Sequence, residues 1–188
     1  MASPVAHSFA GYWVFQFFAA QSKFRLLRPG RGNLLPLGIL VVVANLPDFD
    51  FFLSLAIRGN LNDLHHGFTH SLPVAAFISV VLTFAWPIAA TFWRSALVYF
   101  TAYSSHLLID LCTGARLGWN NTGFGIPLFW PLSQQYSSPL ILMIGVQHEE
   151  LSALWSLQNV ASGMYELVVC GAITAVFLVI RARYVHDG

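Results

Sequence analysis

Three long stretches of this chain contain no Asp, Glu, Lys or Arg: Ser71 to Thr91, Ser95 to Ile109 and Leu167 to Ile180. A helix needs about 20 apolar residues to cross a bilayer's hydrocarbon core, and these runs reach that length with their flanks. Only 9% of the residues are charged and 56% are hydrophobic. Soluble domains carry about 25% charged residues, and a mean hydropathy of +0.64 lies far on the apolar side. The pattern predicts an all-α fold, a polytopic membrane helix bundle of about five spans with an interfacial loop and short-helix region. At 188 residues the chain is one domain. The net charge of +1 comes with no basic stripe and interleaved aromatics, so no nucleic-acid partner is expected. Cys112 and Cys170 fall in apolar helices and read as buried small residues rather than a disulfide pair. The N-terminus has neither a basic leader nor a convincing cleavage site, so no removed signal peptide is expected.

Helix 1 is expected from Pro4 to Gln21, followed by a basic loop with Lys23, Arg25, Arg28 and Arg31. Helix 2 runs from Leu34 to Leu46, where Pro47 kinks or ends it. Phe49 to Ile57 resumes the apolar run as a short helix. Helix 3 covers about His70 to Ala90 and helix 4 covers Arg94 to Cys112. Thr113 to Gln158 is rich in Gly, Asn and Pro and reads as an interfacial loop with one or two short helices. Helix 5 runs from about Asn159 to Ile180. By alternation, Lys23, Arg25, Arg28, Arg31, Arg94, Arg181 and Arg183 share one side, and Arg58 and Arg116 the other. The positive-inside rule then places the N-terminus outside.

Polar chemistry is concentrated in a few short strings. They are Asn45-Leu-Pro-Asp48-Phe-Asp50, His65-His66-Gly-Phe-Thr-His70-Ser71 and Ser105-His106-Leu-Leu-Ile-Asp110. Imidazole and carboxylate in apolar surroundings either pair with each other or hold a metal. His106 and Asp110 are four apart, so both leave one helix face, which Tyr99 and Tyr103 share. That spacing suits a pair of metal ligands and equally a hydrogen bond tying helices together. His66 and His70 repeat it beside His65, and three His within six positions favour ligation. Thr69 is placed to N-cap helix 3. Asp48 and Asp50 diverge, so one can ligate while the other orients a histidine; a helix cap is the alternative for Asp48. His7, a single residue near the start of helix 1, is on its own weak evidence for a ligand. His148-Glu149-Glu150 reads as a solvated acidic patch or a further metal site, and Glu166 as helix pairing. With the expected topology, these residues reach one membrane level on the outer side. Nitrogen and oxygen donors favour Zn²⁺, Mn²⁺ or Fe over a soft metal.

Taken in order, His7, Leu46-Pro-Asp48-Phe-Asp50, His65-x-Gly-Phe-Thr-His70-Ser71, Ser105-His106-Leu-Leu-Ile-Asp110 and Pro127-Leu-Phe-Trp130-Pro131 resemble the YdjM-like family. These are inner-membrane metal-dependent hydrolases, also called LexA-binding membrane-associated hydrolases. The resemblance covers His7 to about Ser133, and the His-x-Gly-Phe-Thr-His-Ser string is its most specific part. The family is more distantly similar to zinc-dependent phospholipase C and the fungal zinc nucleases, whose helical His-x-x-x-Asp carboxylate bridges metals. The family commonly has Arg where this chain has His66, the segment from Thr113 to Ile126 is longer, and LexA binding has no counterpart in these residues.

The resemblance implies that residues 1–188 form a single membrane-embedded metal-dependent hydrolase domain in the inner membrane, its site toward the extracytoplasmic side. It implies one or two divalent transition-metal ions, Zn²⁺ foremost, held by His7, Asp48, His65, His70, His106 and Asp110, with Asp110 bridging. Asp50 is then an outer partner or general base, and His66 a phosphate contact. The reaction expected is phosphoester hydrolysis of a lipid-type substrate, with membrane lipids as surroundings. The alternative is a metal-binding membrane protein without hydrolysis, a carrier or sensor; helix ties alone are a third reading.

Overall fold

The computed structural model describes residues 1–21, 24, 26, 34–59, 67–146 and 155–186. Helix α1 spans Pro4–Ala19 and starts on an N-cap, Ser3, whose hydroxyl accepts from the Val5 amide. Helix α2 spans Leu35–Asn45. Pro47 does not end the run. A 3₁₀ turn over Leu46–Phe49 absorbs it and passes straight into α3, Asp50–Arg58. A second 3₁₀ turn, Phe68–His70, precedes α4, Leu72–Ala85. Helix α5 spans Phe92–Leu111 and α6 spans Leu157–His186. Helix α4 stops five residues short of the expected Ala90. Pro87 forces the preceding Trp86 out of helical geometry, to φ −153° and ψ 87°.

Among the described residues, two helical stretches are long and apolar enough to cross a membrane, Leu35–Ile57 and Leu157–Ala182. The expected five spans are therefore not supported. Helices α1 and α4 have 16 and 14 residues, about 24 and 21 Å at 1.5 Å per residue, against a core of about 30 Å. Helix α5 has the length, but Arg94, His106, Asp110 and several hydroxyls dilute its apolar character.

Over residues 113–146 the chain forms short strands where one or two short helices were expected. Four two-residue strands form there: β1 (Thr113–Gly114), β2 (Gly118–Trp119), β3 (Leu140–Ile141) and β4 (Met143–Ile144). β1 pairs parallel to β4 and β2 antiparallel to β3. Gly118 (φ 110°), Gly125 (φ 78°) and Asn120 (φ 57°) take left-handed backbone, which interrupts helix and suits tight turns. Ile126 and Ile141 are buried under this layer. It is tied to the bundle by Leu72 N–H to Leu128 O and Ser138 N–H to Leu111 O. Both cysteines are free.

Helix α1 packs on α2, α5 and α6, and α5 also packs on α2 and α4. The core runs through Leu40, Val43, Val98, Tyr99, Ala102, Tyr103 and Leu107. Chain direction alternates so that the start of α1, the end of α2, the start of α4 and the end of α5 meet at one end of the bundle. At the other end, Ala90 N–H donates to Phe24 O and the Arg181 guanidinium to Gln16 Oε1.

Gly11 lets α1 approach α2 closely. A Cβ there meets the Leu40 carbonyl oxygen and the Val41 Cα at 2.8 Å, atoms that cannot rotate away. Gly38 on α2 faces open space. Gly11→Ala is expected to cost about 1–3 kcal/mol through overpacking. Gly38→Ala should instead be neutral or gain up to about 1 kcal/mol from helix propensity. Thermal unfolding in detergent checks the contrast, and equal shifts would contradict the close approach.

Candidate metal centre

Each of two histidines has its outer nitrogen occupied and its inner one turned to a common point. His106, near the end of α5, lies with Nδ1 2.9 Å from the Ala44 carbonyl. A carbonyl only accepts, so Nδ1 carries a proton and Nε2 is the nitrogen available to a ligand. His70 closes the 3₁₀ turn before α4. Its Nδ1 lies 3.1 Å from Thr69 Oγ1 and 3.4 Å from Asp50 Oδ2. The Thr69 hydroxyl donates to Asp50 at 2.7 Å, so its oxygen is free to accept from His70. Tyr103 fixes this turn by donating to the Thr69 carbonyl at 2.8 Å.

Asp48 and Asp110 complete the group. One donor atom from each of Asp48, His70, His106 and Asp110 lies within 4.8 Å of all the others. His106 Nε2 is 3.3 Å from His70 Nε2, 3.2 Å from Asp48 Oδ1 and 3.1 Å from Asp110 Oδ2. His70 Nε2 is 3.5 Å from each of the same two oxygens. Ligands about 2.0–2.1 Å from a tetrahedral Zn²⁺ are about 3.3–3.4 Å from each other, so the donor spacing fits such an ion. Both Asp48 oxygens and Asp110 Oδ2 find no hydrogen-bond partner among the described residues. Buried carboxylate oxygens left in this way are costly unless a cation joins them.

His70 reports the same electrostatics. Burial alone lowers its imidazole, but the carboxylates of Asp110, Asp48 and Asp50 outweigh burial and raise its pKa well above the ordinary value. A cation entering here displaces a proton, so its uptake weakens as the pH falls.

His7 lies one turn into α1 and is fully buried. It is outside the group of four but packed against it. Its ring stacks on His106 with centroids 3.6 Å apart and planes 16° from parallel. Its Nε2 is 3.6 Å from Asp110 Oδ1, the oxygen turned away from His70 and His106. That oxygen also accepts from the Ala2 amide at 3.1 Å. Neither ring nitrogen of His7 has a hydrogen-bond partner among the described residues. Asp48 caps no helix through its side chain, and Thr69 does not cap α4; Ser71 holds that position, and Thr69 serves His70 and Asp50. His65, His66, His148, Glu149 and Glu150 lie outside the described residues.

Sequence reasoning missed the Ala44 carbonyl, the Ala2 amide and the roles of Thr69 and Tyr103. The first two are backbone groups, which leave no signal in residue type. Thr69 and Tyr103 were visible beside the site, but their partners depend on how α5 meets the turn before α4.

A helical membrane protein that gathers two imidazoles and two carboxylates at one end of its bundle has a site able to hold a metal ion. The chain belongs to the YdjM inner membrane protein family, whose family model matches residues 1–185. No curated protein and no solved structure matches the chain.

Asp110→Asn keeps the shape but removes charge from the centre of the group, and is expected to abolish metal retention. Asp50→Asn acts on the outer nitrogen of His70 and on Thr69, away from the inward donors, and should weaken affinity about 10–100-fold. Zn²⁺ titration against a chromogenic chelator measures both. Equal, small effects would favour helix ties over a metal centre.

Proposed function

We propose that this protein is a membrane-embedded metal-dependent hydrolase that cleaves a phosphoester of a lipid-type substrate. The observation that carries the reading is the set of four inward donor atoms, the two imidazole nitrogens 3.3 Å apart and each 3.1–3.5 Å from both carboxylate oxygens, with the outer histidine nitrogens already bonded. Asp48, His70, His106 and Asp110 hold a divalent transition metal, with Zn²⁺ first and Mn²⁺ or Fe as alternatives. Such an ion supplies a Lewis acid and lowers the pKa of a coordinated water to about 7. Asp50 and Thr69 fix the tautomer of His70, as the Ala44 carbonyl does for His106. Asp110 presents Oδ2 to this group and Oδ1 toward His7, so it is the residue able to bridge to a second ion. His7 then belongs to that second position.

The substrate class rests on surroundings. The aromatic layer beside the site exposes Trp119, Phe124, Phe129 and Trp130, with the Phe68 ring against Trp130. Trp and Phe in this setting favour the membrane interface, where an acyl or prenyl chain can lie while its phosphate reaches the metal. Arg94 and Arg181 belong to the opposite end of the bundle, which supports an extracytoplasmic site by the positive-inside rule.

A second reading is a carrier or sensor without hydrolysis. The donor count favours it: four protein ligands fill a tetrahedral ion, as in structural zinc sites, whereas catalytic sites keep a position open. Activity separates the two. Zn²⁺- or Mn²⁺-loaded protein should hydrolyse a long-chain phospholipid or prenyl phosphate with a higher kcat/KM than its short-chain soluble analogue, because remote binding energy positions the phosphoester. Full metal loading with no hydrolysis of either form would favour the carrier or sensor. Orientation is tested with Trp93→Cys and Asn120→Cys, each with Cys112 and Cys170 replaced by alanine. An impermeant maleimide should label only the Asn120 position in intact cells; labelling of only the Trp93 position would reverse the assignment.

A further inference from the structure

Glu166 is a fully buried carboxylate in α6, an apolar helix that is otherwise largely exposed. No cationic side chain accounts for it among the described residues. Its acceptors are all spent on the segment that leads into α1. Oε1 accepts from the Ser3 amide at 2.9 Å. Oε2 accepts from the Ser3 hydroxyl and, at 3.4 Å, from the Ala6 amide. These donors are the free amides of a helix N-terminus, where the macrodipole also favours an anion.

The same segment delivers two groups to the metal centre. The Ala2 amide, one residue before Ser3, donates to Asp110 Oδ1. His7, one residue after Ala6, sets its Nε2 3.6 Å from the same oxygen. The anchored residues, Ser3 and Ala6, therefore lie between, and next to, the two residues that face Asp110. We infer that Glu166 is a positioning residue for the metal centre: through Ser3 and Ala6 it sets where Ala2 and His7 meet Asp110, and so which way the Asp110 carboxylate is turned. This inference rests on the metal-centre reading and deepens it, because it adds a residue from α6 to a site otherwise built on α1, α5 and the turns at Asp48 and His70.

A tie between α1 and α6 that served stability alone predicts something different. The pair has another such tie at 2.8 Å, from the Trp13 indole N–H to Thr174 Oγ1, farther along α1 from Asp110. Trp13→Phe breaks it and serves as the control. Glu166→Gln keeps the side-chain length but gives up one carboxylate acceptor, and Ser3→Ala removes one donor while leaving Glu166 in place. Zn²⁺ affinity is measured by chelator competition on the full-length protein in detergent. Co²⁺-substituted protein reports ligand geometry through its visible absorption, and metal-free thermal unfolding reports stability. Glu166→Gln is expected to weaken Zn²⁺ binding about 10–100-fold, as loss of outer partners does, and to shift the Co²⁺ bands. Ser3→Ala should follow in the same direction with a smaller loss, and Trp13→Phe should leave affinity and bands unchanged. Wild-type affinity and bands in both Glu166→Gln and Ser3→Ala would overturn the inference. So would equal losses in Trp13→Phe. Wild-type protein that binds neither Zn²⁺ nor Co²⁺ would instead overturn the metal-centre reading beneath it. If Glu166→Gln does not fold, the comparison of Ser3→Ala with Trp13→Phe decides by the same criteria.

Discussion

Three carboxylate oxygens with no hydrogen bond among the described residues, both of Asp48 and Oδ2 of Asp110, are pressed against two imidazoles inside an apolar bundle and set the terms for this structure. Asp48 and Asp110 each direct an oxygen at both His70 and His106. Desolvating such groups costs several kcal/mol per ion, and a chain with 9% charged residues has little polar surface with which to offset it. The surrounding bonds do not relieve the centre. The Ala44 carbonyl, Thr69 and Asp50 all engage the far sides of the rings, so the inward nitrogens face the carboxylates, where a proton or, in its place, a cation is held.

Chain direction explains why the cluster forms at one level. Alternating helices bring the start of α1, the end of α2, the start of α4 and the end of α5 together, and the His and Asp residues lie within about a turn of those ends. Gly11 permits the α1–α2 approach that brings His7 over His106. Pro47 matters for the same reason. By sitting in a 3₁₀ turn rather than breaking the chain, it lets Asp48 and Asp50 diverge and hold His70 from its two nitrogens.

Much of this was legible in the sequence, and the exceptions have physical causes. His-x-x-x-Asp at 106 and 110 and Asp-x-Asp at 48 and 50 are local patterns, so helical or turn geometry predicts their faces directly. The family could be read from the same strings. The number of spans was not legible, because uncharged runs record composition while a span also needs length, and Pro87 cuts α4 short. The β-paired layer after Thr113 was missed because its strands are two residues long, too short for any alternation to show. Glu166 read as helix pairing, which the contact with the start of α1 matches. That this contact lies one residue from the groups facing Asp110 depends on a separation of more than 160 residues.

The two oxygens of Asp110 bring the question of turnover to a single side chain. Oδ2 faces His70 and His106 and has no hydrogen bond, so it belongs to the group of four. Oδ1 is shared between the Ala2 amide and the unpartnered nitrogen of His7. On the hydrolase reading proposed above, an ion held by all four residues would have no free position, and catalysis would need either an expanded, five-coordinate state or a second ion on the Oδ1 side. The second route uses what is already present: an imidazole with neither nitrogen hydrogen-bonded among the described residues and a carboxylate oxygen facing it. Replacing His7 by Phe keeps the ring stacked on His106 and removes only the nitrogens. Under the two-ion route the variant retains one ion and loses hydrolysis; under the five-coordinate route it retains both binding and turnover. Metal stoichiometry measured beside activity on the same preparation distinguishes them.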